Sequence, residues 1–313
     1  MKKLEIKPFD DFWLNCGFNN NFSILTSYNK KYKELAYLNG YKYQAYNEWS
    51  PKHIALNNSS RIQDDIIGQV ICKEYFLVEY SEKNANNLIN MLHDNNIMIR
   101  VDLYNWLPNS SSWHKEHNYH YSLLSDYDEA KQEIVIIDDD NRGYGVKSIP
   151  YKRFLKCIND EESNITGYII HIKNEIDYEL NMNDVLYHAN ILLDNIDFFY
   201  RENDFWKVQV NEKGENLCKF YAFEVFKIEN RQKANLELVK CLYDKKYINK
   251  NIYEYLKKEF IYLKIEWERI KNILLKDYMY SANNVATNID KLNLLKTNCI
   301  KKEIEIWKKF KCL

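Results

Sequence analysis

The spacing of apolar and polar residues changes character near residue 175. Before it, short apolar runs bounded by polar turns predict strands over Val70 to Tyr80, Ile97 to Leu103, Tyr119 to Tyr127, Ile134 to Ile137 and Ile165 to Ile172. Leu4 to Ile6 fits a short edge strand, and Gly143-Tyr144-Gly145 turns into a strand from Val146 to Ile149. Glu34 to Tyr46 predicts a β-hairpin turning at Asn39-Gly40, because Asn-Gly suits a two-residue turn. Residues 48–65 are polar and poorly periodic. Phe18, Phe22 and Leu25 recur at helical spacing and predict a helix from Cys16 to about Asn29. Ser81 reads as the N-cap of a helix through Leu88, Ile89 and Leu92, and Pro150 as the first position of a short helix through Phe154 and Leu155. After about Asp177 the period is helical: Leu186, Ile191, Leu192, Ile196 and Phe199, then Leu236, Val239 and Leu242, then Leu263, Trp267, Ile270 and Leu274. Four or so long helices are expected there, the last near Ser281 to Lys311. The pattern predicts an α+β domain over residues 1–175 and an all-helical domain over 176–313.

Composition narrows the setting more than the function. With 46% hydrophobic and 28% charged residues, the 313-residue chain reads as a soluble globular protein. Its seven scattered cysteines, without a CxxC pair, fit reduced thiols in a cytoplasm. No apolar run approaches membrane-spanning length, and the polar start Met-Lys-Lys-Leu-Glu-Ile-Lys is unlike a signal peptide. A cytoplasmic protein that binds neither membrane nor nucleic acid is expected. Net charge is −1, but Glu229 to Leu313 holds 19 Lys and Arg against 11 Asp and Glu, leaving the rest acidic. Such a basic half is either the solvated faces of amphipathic helices or a surface that steers an acidic partner.

The candidate chemistry lies between the thiol of Cys16 and the segment from Met98 to Asp140. His120 falls at the start of one predicted strand and Asp138 at the end of the next, so an antiparallel hairpin sets an imidazole beside a carboxylate. A His oriented by an Asp needs only a nucleophile to complete a triad. Cys16 opens a helix, where unpaired backbone N–H groups and the helix dipole favour a thiolate. Asp138 is preferred to Asp139 and Asp140 because it directly follows the apolar strand; the other two are expected to face solvent. His114, His117 and His120 form an HxxHxxH run, but a loop with no supporting Cys or Glu pattern argues against a metal site. His114 and His117 are expected on the surface, bordering the entrance. Tyr104, Trp106 and Trp113 flank that loop, either lining an acyl channel, covering the site from water or packing in the core.

A thiol early, then His, then Asp is the order of papain-like cysteine peptidases. Val101-Asp102-Leu103-Tyr104, His120-Tyr121 and Tyr127-Asp128 resemble the pattern of the butirosin biosynthesis protein H N-terminal family, which is similar in turn to the amide synthetase of closthioamide assembly. The resemblance covers about the first 175 residues. It departs at Ser125-Asp126, where a Gly is usual, and no Gln precedes the nucleophile as in the peptidases. The resemblance implies a papain-like fold acting as an acyltransferase. An acyl group would pass from the phosphopantetheine thioester of a carrier protein, through Cys16, to a small amine acceptor. No bound cofactor or metal is implied. Asn15, Asn19, Tyr104 and Trp106 are the candidates for the oxyanion and substrate-binding positions, and the helical domain would cap the site and dock the carrier. The alternatives are a cysteine peptidase or amidase, a thioesterase, and a non-catalytic scaffold of the same fold.

Overall fold

A computed structural model describes residues 3–45, 54–58, 61–159, 163–196, 205–207, 216–280 and 289–313. The strands expected between residues 70 and 172 form one antiparallel six-stranded sheet. They are β3 (Ile71–Glu79), β4 (Asn96–Asp102), β5 (Tyr119–Asp128), β6 (Glu133–Asp140), β7 (Gly143–Pro150) and β8 (Asn164–Ile172), in the order β3-β8-β4-β5-β6-β7. The last strand in sequence thus inserts between β3 and β4. The chain is a mixed α+β protein with a helical C-terminal region.

Each face of this sheet carries a helix for a reason visible in the residues. On one face α4 (Glu82–Asp94) and α5 (Tyr151–Cys157) pack Leu88, Ile89, Leu92 and Phe154 against Ile97, Ile99, Leu124, Ile134 and Ile136. Ser81 caps α4 as its residue type predicts, its side chain accepting from the Asn84 N–H. Pro150 is the N-cap of α5 rather than its first residue. The opposite face receives α1 (Cys16–Tyr28), whose Asn20 side chain donates to Met98 Sδ (3.7 Å) and to the Tyr121 carbonyl (3.3 Å). Leu4 to Ile6 forms no strand.

The chain divides into two compact units, residues 1–33 with 64–178, and residues 34–63 with 179–313. The later boundary falls after Tyr178, and the early stretch 34–63 belongs with the helical unit. The hairpin expected over residues 34–46 is replaced by a short helix, α2 (Lys33–Tyr37), following a 3-10 turn over Lys30–Tyr32. Glu34, Leu35 and Ala36 are strong helix formers, and neither Asn39 nor Gly40 has the positive φ that a type I′ turn requires. The strand after Gly40, β1 (Tyr41–Ala45), pairs antiparallel with β2 (Ile54–Asn58), inside the stretch expected to be irregular. That stretch also holds the start of α3 (Arg61–Val70).

The second unit adds α6 (Met182–Ile196), α7 (Cys218–Asp244), α8 (Lys250–Tyr280) and α9 (Ile289–Phe310). Along α8 the apolar stripe Leu256, Phe260, Leu263, Trp267, Ile270, Leu274 is fully buried, as its spacing predicts. On α6 the buried face is Val185, His188, Ala189, Leu192 and Ile196, displaced from the expected one, while Phe199 lies outside the described residues. Among the described residues no helix is long and apolar enough to cross a membrane.

Candidate functional site

The site sits where β5 and β6 part. Their pairing runs from Asp128↔Glu133 to Leu123↔Ile137, with a bulge between Leu124 and Asp126. His120 and Asp138 lie just beyond the last pair. Their side chains meet at 3.0 Å, His120 Nε2 to Asp138 Oδ2. Cys16, the first residue of α1, lies close enough to the same imidazole to help raise its pKa. The structure thus pairs His120 with Asp138 and sets Cys16 in their neighbourhood, although more than a hundred positions separate the thiol from the ring.

The bulge decides which face His120 occupies. Cross-strand partners share a face, and side chains alternate along each strand. Tyr127 opposes Ile134 on the α4–α5 face. Unbroken alternation from Tyr127 would give that face to Ser125, Leu123 and Tyr121. The extra residue at Ser125 instead gives it to Leu124, Ser122 and His120, in line with Ile134, Ile136 and Asp138.

Asp138 is held as an acceptor from three sides. Trp106 Nε1 donates to Oδ2 at 2.7 Å, and the Asp139 backbone N–H donates to Oδ1 at 2.8 Å. The side chain is 1% exposed, against 18% for His120. Burial pushes the Asp138 carboxyl up, yet the His120 charge and the Trp106 N–H hold it below the usual carboxylate range. Burial likewise opposes charge on His120, but Asp138, helped by Cys16, raises it to about 10. The two shifts agree on an imidazolium–carboxylate pair at neutral pH. Burial and the neighbouring Asp138 charge push Asp139 up to about 6. Asp139 and Asp140 do not simply face water as expected: Asp140 pairs with Arg142 (2.9 Å) and Lys147 (3.1 Å), its side chain only 1% exposed.

A polar network fixes α1 against the sheet. Asn20 Oδ1 accepts from the Tyr144 hydroxyl (2.8 Å), which also lies 2.9 Å from Ser23 Oγ. Asn20, Ser23 and Tyr144 were not anticipated as site residues. The readable signal was Asn19-Asn20-Asn21 inside a helix, where asparagine is a poor helix former and needs a reason to be there.

The four expected oxyanion and substrate residues separate into different roles. Asn15 is the N-cap of α1, its Oδ1 accepting from the Phe18 N–H at 2.8 Å. Asn19 is 1% exposed and clamps the preceding segment, donating to the Phe9 and Phe12 carbonyls and accepting from the Leu14 N–H. It is a structural residue, because those bonds occupy its amide. Trp106 is fully buried core whose polar edge serves Asp138, so it does not line a channel. Tyr104 stacks on His117 at 4.5 Å, and His114 stacks on Trp113 at 4.3 Å. His117 is tied to Asp102 (Nδ1 to Oδ2, 2.7 Å), and the other oxygen of Asp102 accepts from the Tyr104 N–H (3.0 Å). That double acceptance gives the Asp-x-Tyr spacing a structural purpose.

The three histidines of the HxxHxxH run thus serve separate partners. A different group, His120, Asp138 and Asp139, brings ligand-type atoms within 4.8 Å of one another. It suits a cation poorly, since the Trp106 N–H already points at the Asp138 oxygen that faces His120. A surface cavity lined by Leu4, Phe9, Thr26 and Lys30 lies toward the other end of α1 from Cys16.

No protein-family model matches this chain, and no curated protein matches it. The reading of the site therefore rests on its own geometry.

Proposed function

We propose that the sheet unit is a papain-like cysteine acyltransferase, similar in kind to the butirosin biosynthesis protein H N-terminal family, which takes its acyl group from a carrier-protein thioester. The observation supporting this reading is the approach of the Cys16 thiol to an imidazole that Asp138 and Trp106 hold in place. The Cys16 thiolate attacks the thioester carbonyl of an acyl-phosphopantetheine. The tetrahedral intermediate collapses, the pantetheine sulfur leaves, and the His120 imidazolium protonates it. A new thioester then joins the acyl group to Cys16. An amine attacks that carbonyl, His120 accepts the proton the amine loses, and Cys16 leaves as thiolate while the amide forms. Asp138 stays ionised throughout and fixes the ring orientation. The Cys16 backbone N–H, unpaired at the first turn of α1, is the natural donor to the oxyanion, with the uncommitted amide nitrogen of Asn15 beside it.

The test is a mass shift. Incubation with an acyl-carrier protein should add one acyl group to the wild-type chain and none to Cys16→Ala. An adduct that survives in Cys16→Ala overturns the reading. Supplying an amine then separates transfer from hydrolysis: amide product supports the transferase, and free acid alone makes the protein a thioesterase.

A further inference from the structure

The helical unit contains a second concentration of polar groups, independent of the Cys16 site. Arg231 on α7 is completely buried. One of its terminal nitrogens donates to the Asn39 carbonyl, while Nε and Nη1 have no hydrogen-bond partner among the described residues. Around it other buried groups are similarly unsatisfied. Among the described residues both polar side-chain atoms of Asn39 lack hydrogen-bond partners, as do Nε2 of His188 on α6, which feels the Arg231 charge, and Oδ1 of Asn235, one turn along α7. Buried polar atoms are almost always satisfied, so such a cluster calls for an explanation.

Charge sharpens the point. A guanidinium stays protonated in proteins, and burial of an uncompensated cation is very costly. Burial lowers Arg231 only to about 9, which leaves it charged at neutral pH. Among the described residues no carboxylate forms an ion pair with it. A buried acid of the same unit, Glu303 on α9, receives the hydroxyls of Tyr41 and Tyr43 instead. Burial pushes Glu303 up to about 8, so it is largely neutral at pH 7 and supplies little compensating charge. The Tyr41 ring lies 4.5 Å from the guanidinium and offers only its face.

We propose that the helical unit binds a small oxyanion, a carboxylate or a phosphate, as the missing counter-charge of Arg231, with Asn39 and His188 completing its coordination. The free Nε and Nη1 lie on different edges of the guanidinium, and each shares its edge with Nη2, whose second N–H completes the fork that such a ligand takes. The free oxygens of Asn39 and Asn235 remain for a hydroxyl or amine on the same molecule.

The full chain, refolded from denaturant into chloride buffer, is the material for the test. Its thermal unfolding is followed while chloride is exchanged for acetate, malonate or inorganic phosphate at constant ionic strength. The expected result is a saturable rise in Tm of a few degrees with at least one of these anions. A response to acetate or malonate identifies a carboxylate ligand, and one to phosphate alone identifies a phosphate. Arg231→Leu should lose that response while remaining at least as stable as wild type in chloride, because the unpaired charge is gone. Should Arg231→Leu fail to fold, Asn39→Ala decides, since its side chain holds no hydrogen bond among the described residues; its response should be weakened severalfold. Equal responses in wild type and the folded variants, or no saturable response in wild type, overturn the proposal.

Discussion

Most of what distinguishes His120 from the other histidines is contact with one carboxylate. His117 also has an aspartate partner, but its side chain is 64% exposed, whereas His120 meets a nearly solvent-free Asp138. The consequence can be read in stability against pH. His120 is raised in the folded state, so its contribution is complete below its unfolded value of about 6.5 and is lost as pH rises through about 10. Asp138 is lowered, so its share is present above the ordinary carboxylate value and is lost as pH falls through its folded one. Asp138→Asn should therefore flatten the decline between pH 7 and 10 in denaturant unfolding; a wild-type slope retained in the variant would show the pair contributes nothing. Trp106→Phe removes one donor to Asp138 and should cost about 1–3 kcal/mol while preserving the ring's packing. Cys16, His120 and Asp138 were legible because each ends or begins a periodic run. The roles of Asn19 and Trp106 were not, because residue type alone does not reveal which way an amide or indole points.

At the scale of elements, two local details control the sheet. Gly167 on β8 sits opposite Phe76, and a Cβ there would come within 2.6 Å of that ring and 2.7 Å of the Met98 carbonyl. Gly167→Ala should destabilise the chain by about 1–3 kcal/mol, the usual range for overpacking, measurable as a lower denaturant midpoint. The Ser125 bulge is a stronger lever. Deleting Ser125 restores alternation and turns His120 away from Asp138, so acyl-adduct formation should vanish while far-UV circular dichroism keeps its sheet signal; adduct formation at wild-type level would refute that assignment. Strand positions were readable from alternation, and the cap of α4 from Ser81. A bulge is not, since Leu123-Leu124-Ser125 fits either face. Asn39-Gly40 misled for a related reason: the dipeptide permits a hairpin turn, but the helix formers before it and the pairing of β1 with β2 decide otherwise.

For the whole molecule the organisation is not two successive segments. Residues 34–63 leave the sheet unit after α1 and join the helical one, where Tyr41 and Tyr43 are completely buried and bond Glu303. A chain truncated after Tyr178 keeps that stretch without its surroundings. It should be poorly soluble or protease-sensitive within residues 34–63, and a monomeric truncation resistant there would contradict the division. Composition revealed the helical half, but the excursion escaped notice because no residue between 34 and 63 announces a partner in the last turns of the chain.

That excursion also orders events in time. During synthesis Tyr41 leaves the ribosome some 260 residues before Glu303 does, so this early segment waits through all of the intervening synthesis without its final neighbour. Closing so long a loop is slow compared with helix or hairpin formation. The shelter of β1 should be among the last steps of maturation, visible as late amide protection in pulse-labelled refolding, because it waits for α9.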